Sequence, residues 1–326
     1  MSDHTFSPAW WAANRHVQTL WGKLVRRSSD VATRRELWET PDDDLLEIRR
    51  LDAPPGRPRL ILLHGLEGTI RSHYLGGIFA EARRRGWGAD LLLFRSCGEQ
   101  PNRARRFYHS GETTDLTLVI DRVLREHPAS PIALAGFSLG GNVLLKWLGE
   151  RGSRLPSAVR AASAISVPFD LSRSASHIDR GFARVYQAHF LRSLRRKVLA
   201  KMRHFPDLVD PAQLSLARTI RDYDHVVTAP VHGFEGAEDY YTRSSSIRWL
   251  PEVRLPTLLL SAVDDPFLPP DVLDQVRGIA QANPMLQIEF PTRGGHVGFV
   301  AGRVPWRPFY WGEWRIAEFL SGFLDG

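Results

Sequence analysis

Residues 136–140, Gly-Phe-Ser-Leu-Gly, restrict the fold more than any other feature of this chain. An apolar run, Pro131 to Ala135, precedes them, and a helical pattern, Asn142 to Leu148, follows. This arrangement is typical of a sharp strand-to-helix turn that lifts the serine hydroxyl out of the backbone, with glycines where neighbouring chain comes close. Ser138 is therefore a candidate nucleophile. The alternative interpretation is a plain glycine-rich connection between a strand and a helix.

Continuous apolar runs alternate with helical patterns along most of the chain. Unbroken apolar strands separated by helices indicate a mostly parallel sheet that is covered by helices on both faces. The expected strands are Glu36–Thr40, Leu45–Leu51, Leu60–Leu63, Asp90–Phe94, Pro131–Ala135, Arg160–Val167, Thr257–Val263 and Met285–Phe290. The expected helices outside the longest crossover are Tyr74–Arg85, Thr113–Glu126 and Phe309–Phe323.

The stretch between Pro168 and Pro256 lacks a strong strand pattern, and within it Gly181–His204 is a basic amphipathic helix pattern. A compact sheet does not need so long a crossover. We therefore expect one α/β domain over residues 1–326, with a helical cap inserted at approximately residues 169–250. Two ordinary helices packed on the sheet are the alternative.

A serine hydroxyl needs a base that accepts its proton and a third group that orients the base. Asp264 and Asp265 follow the Thr257–Val263 strand, where a side chain is held at the edge of a sheet. The Asp-Pro-x-x-Pro spacing puts Asp265 at the start of the turn, so it is the preferred acid and Asp264 is the second choice. His296 lies in a glycine-rich loop after the last strand and is the candidate base.

Acyl transfer through a serine also requires donors for the negative charge that develops on the substrate oxygen. The N–H of Leu139, directly after the candidate nucleophile, is one expected donor. The loop His64-Gly65-Leu66-Glu67-Gly68 follows the Leu60–Leu63 strand, and the N–H of Leu66 is the other. His64 is expected to shape this loop.

The chain contains the motifs NRHVQT at 14–19, HGLEG at 64–68, FRSCGE at 94–99, YHSGET at 108–113, GFSLGGN at 136–142, DYY at 239–241 and DDPFLP at 264–269. Together these motifs resemble those of the YheT/EMB8-type hydrolases of the α/β-hydrolase superfamily, and the similarity covers nearly the whole chain. The resemblance implies an α/β-hydrolase fold and a Ser-Asp-His esterase or lipase-like activity without a cofactor, with the triad at Ser138, Asp265 and His296.

Composition limits the other classes of protein. Cys97 is the only cysteine, so an intrachain disulfide is excluded and a cysteine-based metal site is not expected. No apolar stretch reaches the roughly 20 residues that span a bilayer. The first eleven residues lack a basic head followed by an apolar run, so we expect no secretory signal and a cytoplasmic enzyme.

Two surface features have more than one interpretation. The net charge is +7, and basic residues concentrate between Arg192 and Arg203. A solvated helix face explains this concentration better than nucleic-acid binding, because the sequence contains no nucleic-acid recognition motif. The tryptophans Trp10, Trp11 and Trp21 either cover the core as a strap or, with basic neighbours, contact a membrane surface peripherally. Those neighbours are Lys23, Arg26 and Arg27.

The sequence thus predicts a serine hydrolase that cleaves carboxylic esters of short- to medium-chain or lipid-like acyl groups through an acyl-enzyme. An acyltransferase or thioesterase that uses the same triad stays open, as does a non-catalytic ligand-binding scaffold. The sequence gives neither the natural substrate nor the oligomeric state.

Overall fold

An eight-stranded sheet organises the chain in a computed structural model that describes residues 5–26 and 31–325. The strand order is β1-β2-β4-β3-β5-β6-β7-β8. Strand β2 pairs antiparallel with β1 and β4, and all other neighbours are parallel. The strands are β1 (Arg34–Glu39), β2 (Leu45–Leu51), β3 (Arg59–Leu63), β4 (Gly88–Leu93), β5 (Ile132–Phe137), β6 (Val159–Ile165), β7 (Thr257–Leu260) and β8 (Leu286–Glu289), and a separate hairpin-like pair joins β9 (Val300–Ala301) to β10 (Phe309–Tyr310).

Helices flank the sheet and fill the crossover from β6 to β7. They are α1 (Arg15–Val25), α2 (His73–Arg84), α3 (Thr114–Glu126), α4 (Leu139–Arg151), α5 (Leu171–Ile178), α6 (Ala183–Met202), α7 (Pro211–Leu216), α8 (Ile220–Tyr223), α9 (Ala229–His232), α10 (Ala237–Ser244), α11 (Pro270–Ala282) and α12 (Trp311–Leu324), with a π-helical turn at Asp224–Thr228 and 3₁₀ turns at Trp10–Ala12, Gly152–Arg154, Ser246–Arg248 and Leu250–Glu252.

The sheet buries side chains on both faces because successive residues of a strand point in opposite directions. In β3, Ile61 and Leu63 pack into the apolar layer under α3, α4 and α11, whereas Leu60 and Leu62 pack into the layer under α2 and α12. All residues of β3, β4 and β5 are buried. The continuous apolar runs of the sequence therefore correspond to the central parallel strands, and the predicted fold class is confirmed.

Two elements differ from the expectations. Helix α1 was not predicted, although Asn14 accepts hydrogen bonds from the N–H groups of His16 and Val17 and so caps it. The last helix begins at Trp311 instead of Phe309, because Phe309 and Tyr310 pair with Val300 and Ala301 as strands.

The 169–250 segment, between β6 and β7, consists of α5 to α10 with short turns and contains no strand. It has an apolar cluster of its own, in which Leu191, Leu194 and Val198 of α6 pack with Leu214 and Tyr223. A second cluster joins this segment to the turn after β7 through Tyr186 and Phe267. The segment is thus anchored both internally and to the sheet.

No helix in the described ranges is long and apolar enough to cross a bilayer. In the N-terminal part, Trp10 and Trp11 donate hydrogen bonds from Nε1 to the carbonyl oxygens of Arg303 and Gly302. The rings of Trp11 and Trp21 lie 4.5 Å apart. These contacts favour the strap interpretation. Arg27 and residues 1–4, which belong to the sequence expectations for this region, lie outside the described residues.

Candidate active site

Ser138 lies at the sharp turn between β5 and α4. Its backbone is left-handed, with φ 53° and ψ −120°, which is a strained conformation for a residue with a side chain. Its N–H donates to the carbonyl oxygen of Ile165 in β6 at 2.7 Å, so the turn is held by the neighbouring strand. This is the geometry of a nucleophile elbow.

The two glycines of the elbow permit close backbone packing. A Cβ at Gly136 would lie 2.5 Å from the carbonyl oxygen of Gly140. A Cβ at Gly140 would lie 2.5 Å from the carbonyl oxygen of His64 and 2.7 Å from that of Leu63. Since real Cβ atoms do not approach other backbone so closely, only glycine lets α4 start directly beside β3.

The loop after β3 runs beside Ser138. A Cβ at Gly65 would lie 3.2 Å from Cβ of Ser138, which shows how near this loop comes to the elbow. His64 is fully buried; its Nε2 accepts from the N–H of Phe94 at 3.1 Å, so its Nδ1–H donates to the carbonyl oxygen of Gly65 at 2.7 Å. Burial lowers the pKa of His64 to about 4 and keeps the ring neutral. His64 thus shapes the loop.

Leu66 and Leu139 both line the cavity next to Ser138. Within the described residues, the N–H groups of Leu66 and Leu139 donate to no protein acceptor, whereas the neighbouring N–H of Glu67 donates to Oη of Tyr108 at 2.8 Å. Two backbone donors beside the serine are therefore available to a ligand.

Asp265 and His296 form a hydrogen-bonded pair. Nδ1 of His296 lies 2.8 Å from Oδ2 of Asp265, whose side chain is almost fully buried. The other carboxylate oxygen accepts from the N–H of Phe267 at 2.8 Å, and the Phe267 ring lies 4.2 Å from the imidazole. In the neutral ring this bond fixes the proton on Nδ1 and leaves the lone pair of Nε2 as an acceptor.

Asp264 has a different partner. Its Oδ1 accepts from the N–H of Gly295 at 2.9 Å, in the loop that carries His296. Burial raises the pKa of Asp264, and the charge of Asp265 adds to this effect, against the hydrogen bonds from the loop. Of the two aspartates, it is Asp265 that contacts the imidazole.

The loop that carries His296 is fixed from two sides. The N–H of His296 donates to Oγ1 of Thr19 in α1 at 3.0 Å, and the N–H of Val297 donates to Oγ of Ser166 at 3.0 Å. The fully buried Gln18 accepts from the N–H of Val300 at 2.6 Å. Sequence reasoning did not assign α1 this role. The only local signal is the Asn14 cap followed by apolar residues at helical spacing.

A cavity of about 980 Å³ connects these groups. Ser138 and His296 both line it, and no hydrogen bond joins their side chains in the described structure. Its walls are largely apolar and come from both the sheet edge and the 169–250 segment. The apolar lining residues of that segment include Leu171, Ala175, Ile178, Tyr186, Phe190 and Leu194.

One part of the cavity wall is polar. The rings of His109 and His232 lie 4.6 Å apart, and burial lowers the pKa of the first to about 4 and of the second to about 3. Asp224 lines the same cavity and accepts from Oγ1 of Thr228 at 2.6 Å and Oη of Tyr241 at 2.8 Å. Burial raises the pKa of Asp224 to about 6. Sequence reasoning missed this polar wall, whose members come from distant segments.

Among the described residues, no group of three or more His, Cys, Asp or Glu side chains is arranged to hold a metal ion. Burial raises the pKa of the Cys97 thiol to about 11, which makes it a poor nucleophile.

A family model for the α/β-hydrolase fold matches residues 58–301. The chain belongs to the α/β-hydrolase family. It is 36% identical to the YheT protein of Escherichia coli over 99% of this chain and 95% of that protein, which confirms the YheT-type resemblance. It is 31% identical to the monoacylglycerol lipase of Saccharomyces cerevisiae, over 90% of this chain and 64% of that protein.

Solved structures agree with the fold. An esterase of Pyrococcus furiosus superposes with a TM-score of 0.58 at 16% identity, covering 90% of this chain and 94% of that one. At this identity the likeness concerns the fold alone. This α/β hydrolase therefore has esterase and lipase relatives by sequence and an esterase neighbour by fold.

Proposed function

We propose that the chain is a serine esterase that cleaves carboxylic esters through an acyl-enzyme. The observation that carries the proposal is the bond of 2.8 Å between Nδ1 of His296 and Oδ2 of Asp265 in the cavity that Ser138 also lines. In this mechanism, Ser138 attacks the ester carbonyl and His296 accepts its proton at Nε2. Asp265 orients His296 and stabilises the imidazolium.

The backbone donors complete the mechanism. The N–H groups of Leu66 and Leu139 bind the oxyanion of the tetrahedral intermediate, and each such donor contributes roughly 10²–10³ in rate. His296 then delivers its proton to the leaving alcohol. Water attacks the acyl-serine with His296 as the base, which regenerates the free Ser138 hydroxyl.

The lining of the cavity supports a particular class of ester as the substrate. An apolar wall that includes Ile178, Phe190 and Leu194 suits the acyl chain of a short- to medium-chain or lipid-like ester. The neutral rings of His109 and His232 suit an uncharged polar group of the alcohol, such as a hydroxyl. The yeast relative is named a monoacylglycerol lipase, which agrees with an ester of this kind.

The 169–250 segment acts in this proposal as a cap inserted into a single α/β domain. Residues of α5 and α6 form one wall of the cavity that contains Ser138, and Tyr186 packs on the Phe267 ring beside His296 at 4.8 Å. A cap in this position selects substrates by shape and excludes water from the reacting groups. The cytoplasmic location and the choice between water and another acyl acceptor stay predictions.

The test is ester turnover by Ser138→Ala with p-nitrophenyl esters of graded chain length, together with labelling by a fluorophosphonate probe. We expect the substitution to abolish both turnover and labelling, because the nucleophile is removed. Ser174→Ala is the matched control: Ser174 lines the same cavity on α5, and its replacement leaves labelling intact. Retention of most activity by Ser138→Ala would falsify the proposal.

A further inference from the structure

The outer face of α6 carries a groove lined by five arginines. The groove has a volume of about 700 Å³, and its apolar lining comes from Ala188, Leu191, Leu199 and Ala200. It is distinct from the cavity of Ser138, to which α6 contributes other residues. The arginines are Arg192, Arg195, Arg196, Arg203 and Arg218.

Helical geometry explains why the two faces of α6 differ. At about 100° per residue, the exposed residues Val185, Arg192, Arg196, Leu199 and Arg203 form one stripe. The residues that line the cavity, Tyr186, Phe190, Leu194 and Lys197, lie on another side of the helix. The arginine stripe is therefore not part of the proposed catalytic cavity.

These arginines have no counter-charge in the described part of the chain. None of the five guanidinium groups takes part in an ion pair or a hydrogen bond with another described residue. The carboxylate of Asp222 lies beside Arg218, but it accepts from the backbone N–H of Arg218 at 2.8 Å and forms no ion pair with the guanidinium. Five like charges in one groove repel one another unless an anion binds between them.

Arg195 adds a second observation. Its Nε and one terminal nitrogen are buried and have no hydrogen-bond partner. A buried donor without a partner is costly, and a charged one especially so. Because Arg195 also lines the groove, a rotation of its side chain toward a bound oxyanion would pair these donors in the forked geometry that a guanidinium offers.

We propose that this groove is a binding site for a ligand that carries phosphate groups. Phosphate oxygens match the guanidinium fork, and the apolar floor accommodates the carbon part of a phosphate ester. Among the described lining residues there is no aromatic side chain, which a site for single-stranded nucleic acid would use for base stacking. The phosphate group belongs either to a small solute or to an anionic lipid headgroup.

The experiment uses the full chain and two probes at low salt. Inorganic pyrophosphate is titrated by calorimetry, and vesicles of phosphatidylcholine, with and without phosphatidylglycerol, are tested by co-sedimentation. For whichever probe binds the native chain, we expect Arg192→Gln/Arg196→Gln to weaken the affinity by about tenfold or more, since two charge-assisted contacts are removed. Both positions are exposed, so circular dichroism and ester turnover should match the native chain.

Two further variants separate a formed site from general charge attraction. Arg83→Gln/Arg125→Gln removes the same charge from exposed positions on α2 and α3 and should leave binding unchanged. Arg195→Lys keeps the charge but loses the fork, so it should weaken pyrophosphate binding. Binding of pyrophosphate alone identifies a solute, and binding only to phosphatidylglycerol vesicles identifies a headgroup. The proposal is overturned if neither probe binds, or if both double variants behave alike.

Discussion

Lys197 of α6 donates a hydrogen bond from Nζ to Oε1 of Glu67 at 2.7 Å and so joins the 169–250 segment to the loop that carries the Leu66 N–H. The backbone of Glu67 is in the left-handed region, with φ 55°, and its carboxylate is mostly buried. Oη of Tyr108 donates to the same Oε1 at 2.9 Å, and Oγ of Ser193 donates to Oε2. The position of α6 and the orientation of a proposed oxyanion donor are therefore physically coupled.

Replacement of Lys197 tests this coupling. Lys197→Met leaves the Glu67 carboxylate buried without its cation, so the loop is expected to shift and kcat for ester hydrolysis to fall about tenfold, with a smaller change in KM. Lys146→Met, which breaks a Lys–Glu pair within α4, is the control and should retain kcat. Glu67→Gln/Lys197→Met should recover stability relative to Lys197→Met, because no unpaired charge remains. A native kcat in Lys197→Met would contradict the coupling.

The two aspartates after β7 should respond differently to the same substitution. Asp265→Asn presents an amide donor to Nδ1 of His296 and favours the wrong tautomer, so kcat should fall by roughly a thousandfold or more. Asp264→Asn still offers an oxygen to the N–H of Gly295, so its kcat should change by less than about threefold. Steady-state kinetics on one p-nitrophenyl ester measures both. Equal losses in the two variants would reject Asp265 as the orienting acid.

Replacement of Asp224 by Asn should stabilise the chain by an amount that depends on pH. Its pKa is raised to about 6 by burial, so its contribution to stability is fully present at pH values below the usual aspartate pKa and is lost as pH rises through 6. Asp224→Asn should therefore match the native chain near pH 4 and exceed its free energy of unfolding near pH 7 by about 2 kcal/mol. Urea unfolding at the two pH values measures this difference.

Asp222, two residues away, should have the opposite effect on the pH dependence of stability. Burial works against its ionised form, but hydrogen bonds from the N–H groups of Arg218 and Thr219 outweigh this effect and lower the pKa of Asp222. Its contribution is present at neutral pH and lost as pH falls through the lowered pKa. Solvent screens this partly exposed carboxylate, so Asp222→Asn should be less stable than the native chain near pH 7 by no more than about 1 kcal/mol and should converge with it in acid. If Asp224→Asn and Asp222→Asn changed the free energy of unfolding in the same direction near pH 7, the opposite pKa shifts of the two aspartates would be contradicted.

The elbow glycines predict a contrast between two Gly→Ala substitutions. Gly140→Ala places a Cβ against the backbone of Leu63 and His64, so the free energy of unfolding should fall by about 3 kcal/mol. Gly278→Ala lies within α11 with no atom near its added Cβ and should gain about 0.5–1 kcal/mol from helix propensity. Thermal and urea unfolding measure both changes in stability. An unchanged free energy of unfolding in Gly140→Ala would show that α4 moves easily away from β3.

Local patterns predicted the strands and turns on which the proposed chemistry depends. The apolar runs located the central strands because parallel strands are buried on both faces, and the glycine spacing located the turn at Ser138. The order of strand, aspartate and glycine-rich histidine loop was also readable. Strand ends differed by a few residues, as at Phe137, because a strand ends where its neighbour stops pairing.

Long-range partners could not be predicted from the sequence. Lys197 and Glu67 are separated by 130 positions, and no periodic pattern connects them. His109 and His232 come together only because the 169–250 segment folds back on the sheet edge. The choice of Asp265 over Asp264 rested on turn spacing, whereas the distinguishing contact is a hydrogen bond formed across the fold.

The bond between Thr19 and His296 has a consequence for biosynthesis. These two residues are 277 positions apart, so the ribosome must add all the intervening residues before the imidazole loop acquires its support. A nascent chain that already contains the turn at Ser138 therefore lacks the positioned imidazole that the proposed mechanism requires. In that mechanism, the serine becomes reactive only after α1 and the loop that carries His296 have met.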